Sequence, residues 1–255
     1  MTSLARTGAF ALLVVLSLLA QPASARTTVE LEIVGRIVAI DVYAPPTGQA
    51  PRGAAILSHG FTRSRTTLGE HAAALAAAGV LALTPDMPYT FDFRRNAEGL
   101  GQLVAMLRKG GVLGPPVERV VLIGFSAGAL SSLLAAATPG VAGYIGLDPF
   151  DRTREDGQRA LGRDVAPSLR TEAILLRAPA SRCNAEAVAA PWARLLPALV
   201  SDRVIDQASH CDFEAPTDWM CRLACGAADP ARQAIVRATL IGAIDRWLPA
   251  AAMRP

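Results

Sequence analysis

Lysine is almost missing from this chain: Lys109 is the only one, and arginine supplies nearly all the positive charge. The basic residues are scattered with no run of five, and the net charge is only +3, which argues against a nucleic-acid-binding stripe. Histidine is scarce too. Three dispersed histidines cannot build a conventional histidine-based metal centre, so a metallohydrolase is disfavoured and no metal or cofactor is expected. No internal repeat or low-complexity linker breaks the chain. After the N-terminal segment no apolar run is free of helix breakers, so no stable membrane insertion is expected. What remains is a chain of 255 residues, 51% hydrophobic, suited to one sizeable domain with a well-buried core over residues 26–255.

Residues 1–25 have the pattern of a signal peptide. Arg6 gives the charged start, Gly8 to Ala20 the apolar stretch, and Ala23-Ser24-Ala25 the small-residue cleavage signal. An uncleaved anchor is the rival, although the apolar stretch is short of the roughly 20 residues a span needs. Export, to a periplasm or beyond the cell, changes the meaning of the four cysteines. In an oxidising compartment Cys183, Cys211, Cys221 and Cys225 are expected to form two disulfides, with three connectivities open. A zinc site is the alternative, but the spacing suits it poorly.

The chemistry gathers at Arg119 to Leu134. Val120 to Ile123 is a buried-strand run, Gly124-Phe125-Ser126-Ala127-Gly128 follows, and Ala129, Leu130, Leu133 and Leu134 recur at helical spacing. Strand, Gly-x-Ser-x-Gly and helix make a nucleophile elbow. The serine sits on a bend too tight for ordinary neighbours, so glycines flank it, and a helix N-terminus lies behind it. A plain glycine-rich strand-to-helix turn is the bland alternative.

Around this segment the pattern alternates. Thr27 to Val34 and Ile37 to Tyr43 read as a hairpin, and Ala54 to Ser58, Val80 to Thr84, Tyr144 to Leu147, Glu172 to Leu176 and Arg203 to Ile205 as further strands. Helices are expected over Leu68 to Ala78, Asn96 to Arg108 and Asp229 to Leu248, with a proline-broken helical stretch from Ala185 to Val200. A hairpin followed by alternating strands and helices predicts a three-layer α/β/α sandwich around a mostly parallel sheet of about eight strands. In such sheets ligands bind at the carboxyl ends of the strands. His59, Ser126, Asp148 and His210 each fall just past a different predicted strand.

A serine hydroxyl needs a base to become nucleophilic. His71 lies inside an alanine-rich helix and is expected to face solvent. His59 follows the third strand in His-Gly-Phe. Only His210 lies downstream of the serine in a loop, as the nucleophile–acid–histidine order requires. The acid is less determined: Asp148 ends a strand and precedes Pro149, Asp151 is close behind, and Glu186 is the one carboxylate in the loop after the seventh strand. On such a fold the oxyanion donors are the backbone N–H groups of Phe61 and Ala127.

Taken together, His59-Gly60-Phe61, the elbow, Gly146-Leu147-Asp148-Pro149-Phe150-Asp151 and Ser209-His210-Cys211-Asp212-Phe213 resemble the α/β-hydrolase superfamily over roughly residues 50 to 248. The resemblance is to the branch holding chlorophyllases, platelet-activating-factor acetylhydrolases and cutinase-like, dienelactone-hydrolase-related enzymes. It implies Asp148 as the acid, because chlorophyllases and the acetylhydrolases take theirs from a similar segment after the sixth strand. Cutinase-like enzymes place an Asp three residues beyond a cysteine. Here that position is Glu186, and the likeness implies a Cys183–Cys211 bridge, leaving Cys221–Cys225. The elbow has Phe125 where many relatives have histidine. The implied activity is hydrolysis of a small-molecule or polymeric carboxylic ester, without a large lid. The alternative is a non-catalytic exported binding protein that keeps the fold, favoured by the missing Asp after the seventh strand.

Overall fold

The computed structural model describes residues 26–151 and 160–249; the expected signal peptide lies outside the described residues. Eight strands form one sheet in the order β1-β2-β4-β3-β5-β6-β7-β8. β1 (Arg26–Ile33) and β2 (Arg36–Tyr43) are the expected hairpin. Its two-residue turn puts Val34 and Gly35 at φ 45° and 75°, the twist that hairpin turns prefer. β2 runs antiparallel to β4 (Leu81–Pro85), and from there β3 (Ala54–Ser58), β5 (Val120–Phe125), β6 (Val141–Leu147), β7 (Ala173–Arg177) and β8 (Leu199–Val204) are parallel.

The central strands are apolar on both faces because helices cover both. Ala55, Leu57, Val121, Ile123 and Phe125 pack towards α1 (Gly69–Ala77) and α7 (Pro230–Trp247). Their sequence neighbours Ala54, Ile56, Val120 and Leu122 pack towards α2 (Phe93–Lys109). α3 (Ala127–Ala135), α4 (Leu161–Val165) and α5 (Trp192–Leu195) lie over β6 and β7, where Leu130, Leu133, Tyr144, Leu175 and Trp192 form a third cluster. Burying each such large side chain contributes about 1.5–3 kcal/mol. The helices start where caps are available. Asp92 accepts from Arg95 N–H, and Asp229 accepts from the N–H groups of Ala231 and Arg232, with Pro230 in the first turn.

Two expectations fail late in the chain. The stretch from Ala185 to Val200 is not a broken helix: Pro191 and Pro197 leave only the single turn of α5, and β8 begins at Leu199. β8 is an edge strand exposed over most of its length, so it lacks the apolar run by which the inner strands are recognised. Asp218 caps a short helix, α6 (Trp219–Cys225), that carries two of the four cysteines.

Register brings the strand ends level. Ser58 pairs with Gly124, Phe125 with Leu147, Leu147 with Leu176 and Arg177 with Val204, so the loops after β3, β5, β6, β7 and β8 emerge along one edge. At the other end Gly143 lets the Trp247 ring lie against β6, where a Cβ would overlap the indole. Gly143→Ala is therefore expected to lower stability by about 1–3 kcal/mol, read as a reduced denaturant midpoint with an unchanged slope.

Candidate active site

Ser126 stands alone between β5 and α3 at φ 53°, ψ −119°, a conformation that costs an ordinary residue about 1–3 kcal/mol. The surroundings impose it. A Cβ on Gly124 would fall on the backbone of Gly128 and Ala129, and one on Gly128 would fall on the carbonyls of Ser58 and His59. The glycines therefore let β5, α3 and the end of β3 touch backbone to backbone, and this contact leaves the serine at the apex. Ser126 N–H donates to Leu147 C=O at 3.0 Å, and Ser126 C=O accepts from Phe150 N–H at 3.1 Å. The elbow is thus stitched to both sides of the Asp148 loop.

Asp148 is buried, at φ 39°. Its Oδ2 lies 2.6 Å from His210 Nδ1, while Oδ1 accepts from Ala178 N–H at 2.9 Å and Asn184 Nδ2 at 3.2 Å. The His210 ring is tilted over the Phe125 ring, 4.6 Å between centroids, beside Ser126 in the chain. His210 opens a helical turn over His210–Phe213 that is tied on several sides. Asp212 accepts from Ser209 N–H and from Arg232 Nε, both at 2.7 Å. Beyond the turn, buried Glu214 pairs with Arg63 at 2.7 Å, which fastens it to the loop after β3. Burial raises the Glu214 pKa in spite of that arginine.

The structure gives Asp151 and Glu186 other places. Asp151 is buried and accepts from Gly162 N–H, Arg163 N–H and Trp192 Nε1, which starts α4 and anchors the Trp192 indole. Glu186 is exposed, in a left-handed turn at φ 54°, with no hydrogen bond to His210. Asn184 is the residue that sequence reasoning missed. Its amide donates to Asp148 and to Pro179 C=O, and its Oδ1 accepts from Ser181 and Ala187 N–H. The loop after β7 does serve the site, but with an amide where a carboxylate was sought.

Phe61, Ser126 and Ala127 line one cleft, and among the described residues no hydrogen-bond partner is found for the backbone N–H of Phe61 or Ala127. His59 is not free to react. Burial lowers its pKa, its Nε2 accepts from Met87 N–H at 2.9 Å, and Nδ1 lies 2.8 Å from Gly60 C=O, an arrangement that braces the loop. The cleft has a volume of about 490 Å³, with Ser126, Phe61, Phe91, Phe93 and Phe150 in its walls. Phe61 and Phe91 rings lie 5.1 Å apart.

His71 corrects an expectation: it faces the interior, not solvent, and is fully buried where α1 meets the His210 turn, with Nε2 3.3 Å from Phe213 C=O. Alanine neighbours gave no sign of which side of α1 would be covered by α7. The disulfide pairing also differs from the one implied by resemblance. Cys183 is bonded to Cys225 and Cys211 to Cys221, because α6 folds back over the 182–184 turn and the His210 turn at once. Two disulfides fit an oxidising compartment. Among the described residues no helix is long and apolar enough to cross a membrane.

This topology, with a serine elbow after β5 and a histidine turn after β8, is the α/β-hydrolase fold. Solved structures of that fold match most of the chain. A dienelactone hydrolase from Anabaena variabilis is 17% identical, with 89% of this chain and 99% of that one aligned at a TM-score of 0.67. A lidless α/β serine hydrolase from Xanthomonas campestris is 17% identical, over 89% and 97% of the two chains, at 0.62. The esterase domain of a Rhodothermus marinus protein is 18% identical, over 88% and 99%, at 0.63. No protein-family model and no curated protein sequence matches the chain.

Burial, reinforced by the charge of Arg237, lowers the His71 pKa from 6.5 to about 4. The unfolded chain then takes up this proton at higher pH than the folded one does. The contribution is complete above about pH 6.5 and is lost as pH falls towards 4. Wild type is expected to lose about 2 kcal/mol through this group between pH 7 and pH 5. His71→Leu should flatten that part of the stability profile, measured by urea unfolding at each pH.

Proposed function

We propose that the chain is an exported serine hydrolase that cleaves carboxylic esters through an acyl-enzyme. The observation that carries this reading is the 2.6 Å contact between Asp148 and His210, made beside a serine in a strained elbow conformation. In this reading Asp148 accepts from the Nδ1–H, which leaves Nε2 as the basic nitrogen. Nε2 takes the Ser126 proton as its oxygen attacks the acyl carbon. The Phe61 and Ala127 N–H groups hold the oxyanion, and His210 returns the proton to the leaving alcohol. Water deacylates the enzyme by the same route in reverse. No cofactor is needed for these steps.

Several features support the reading. Neighbouring structures are described as a dienelactone hydrolase, a serine hydrolase without a lid and an esterase domain. Four aromatic rings around an open cleft suit an ester with a bulky apolar portion, small or polymeric. The N-terminal leader pattern and two disulfides support export. A non-catalytic binding role draws on the lack of an Asp after the seventh strand; the contact between Asp148 and His210 favours the catalytic reading over it.

A fluorophosphonate probe is expected to label Ser126, and Ser126→Ala should abolish both labelling and turnover of a short p-nitrophenyl ester. Asp148→Asn should cut kcat by about 10³–10⁴-fold, while Asp151→Asn and Glu186→Gln leave His210 its partner and should stay within a few-fold of wild type in kcat. Full activity in Asp148→Asn would return the acid role to another residue. Phe91 is more than half exposed at the cleft mouth, so Phe91→Ala should raise KM for naphthyl or long-chain esters several-fold and leave acetate esters nearly unchanged. Equal effects on both substrates would remove the aromatic wall from substrate binding.

A further inference from the structure

The two disulfides touch. The sulfurs of Cys211, Cys221 and Cys225 all lie within 4.8 Å of one another, although Cys225 is bonded to Cys183. One bridge is half-buried at the cleft rim, where Cys183 forms part of the wall; the other is buried completely and begins at the residue after His210. Cys221 and Cys225 are one helical turn apart on α6, so their side chains share a face. We propose that these four cysteines form a thiol–disulfide exchange centre, in which a freed Cys225 thiolate attacks Cys221 and expels Cys211.

The step balances. A dithiol reductant first reduces the accessible Cys183–Cys225 bridge, giving two thiols and one oxidised dithiol. Cys225, as thiolate, then forms a bond to Cys221 Sγ while the Cys221–Cys211 bond breaks, and the proton given up by Cys225 ends on Cys211. The exchange itself involves no net oxidation. Its product has Cys183 and Cys211 as thiols and a Cys221–Cys225 bridge. Reduction of the outer bridge thus ends with a thiol at Cys211, the residue next to the candidate base.

The experiment uses the full chain and no ester substrate, so its outcome is independent of the proposed hydrolase activity. Cys183→Ala leaves Cys225 unpaired with no reductant added. Purified without thiols, quenched with N-ethylmaleimide and mapped by mass spectrometry, it should carry label on Cys211 together with a Cys221–Cys225 bridge. That labelling should exceed the level in Cys183→Ala/Cys225→Ser at least tenfold. Should the variant not fold, wild type treated with one equivalent of dithiothreitol supplies the same test: molecules carrying two labels should bear them on Cys183 and Cys211. Label on Cys225 alone in the variant, on Cys183 with Cys225 in wild type, or on Cys221 in either, overturns the proposal.

Discussion

Backbone must touch backbone at two places for this site to exist. β5 can turn into α3 within a single residue only because Gly124 admits the start of the helix and Gly128 admits the end of β3. Ser126 takes up the conformational cost of that contact, and hydrogen bonds from both sides of the Asp148 loop hold it there. The strain is affordable because the sheet beneath is buried on both faces and does not yield. Every later feature of the site refers back to this fixed point. The level strand ends set where the other loops begin, and the Phe125 ring gives His210 a surface to lie on.

The layer that supports the histidine is built differently. It uses charges and covalent bonds where the elbow uses close packing. Asp212 with Arg232, Glu214 with Arg63, and the Cys211–Cys221 bridge tie one short turn to α7, to the loop after β3 and to α6. A turn of four residues has no core of its own, so its position depends on such ties. His71 belongs to the same layer, as a neutral imidazole enclosed between α1 and that turn. The site thus joins a rigid serine to a histidine whose support includes a buried imidazole and a disulfide.

Recognition of the pattern went far where chemistry and position coincide. The elbow and the candidacy of His210 are legible because glycine spacing and a count of three histidines are properties of short segments, whereas the sequence leaves three carboxylates open as the partner of that histidine. Asn184 was not readable, since nothing in Ser181 to Ala187 says that an amide will reach across to a carboxylate 36 residues away. Edge strand β8 was misplaced for a related reason: its pairing with β7 leaves it exposed, so no apolar period marks it.

The chain's own order of residues determined the alternation of strands and helices, the bend that presents Ser126 and the short list of groups able to assist it, because each depends on local backbone freedom or on periodic burial. Only the folded arrangement decided which carboxylate meets His210, which side of α1 is enclosed and which cysteines are joined. Those outcomes depend on how separate loops converge along one sheet edge. Distance along the chain does not encode that convergence, and packing of both sheet faces enforces it.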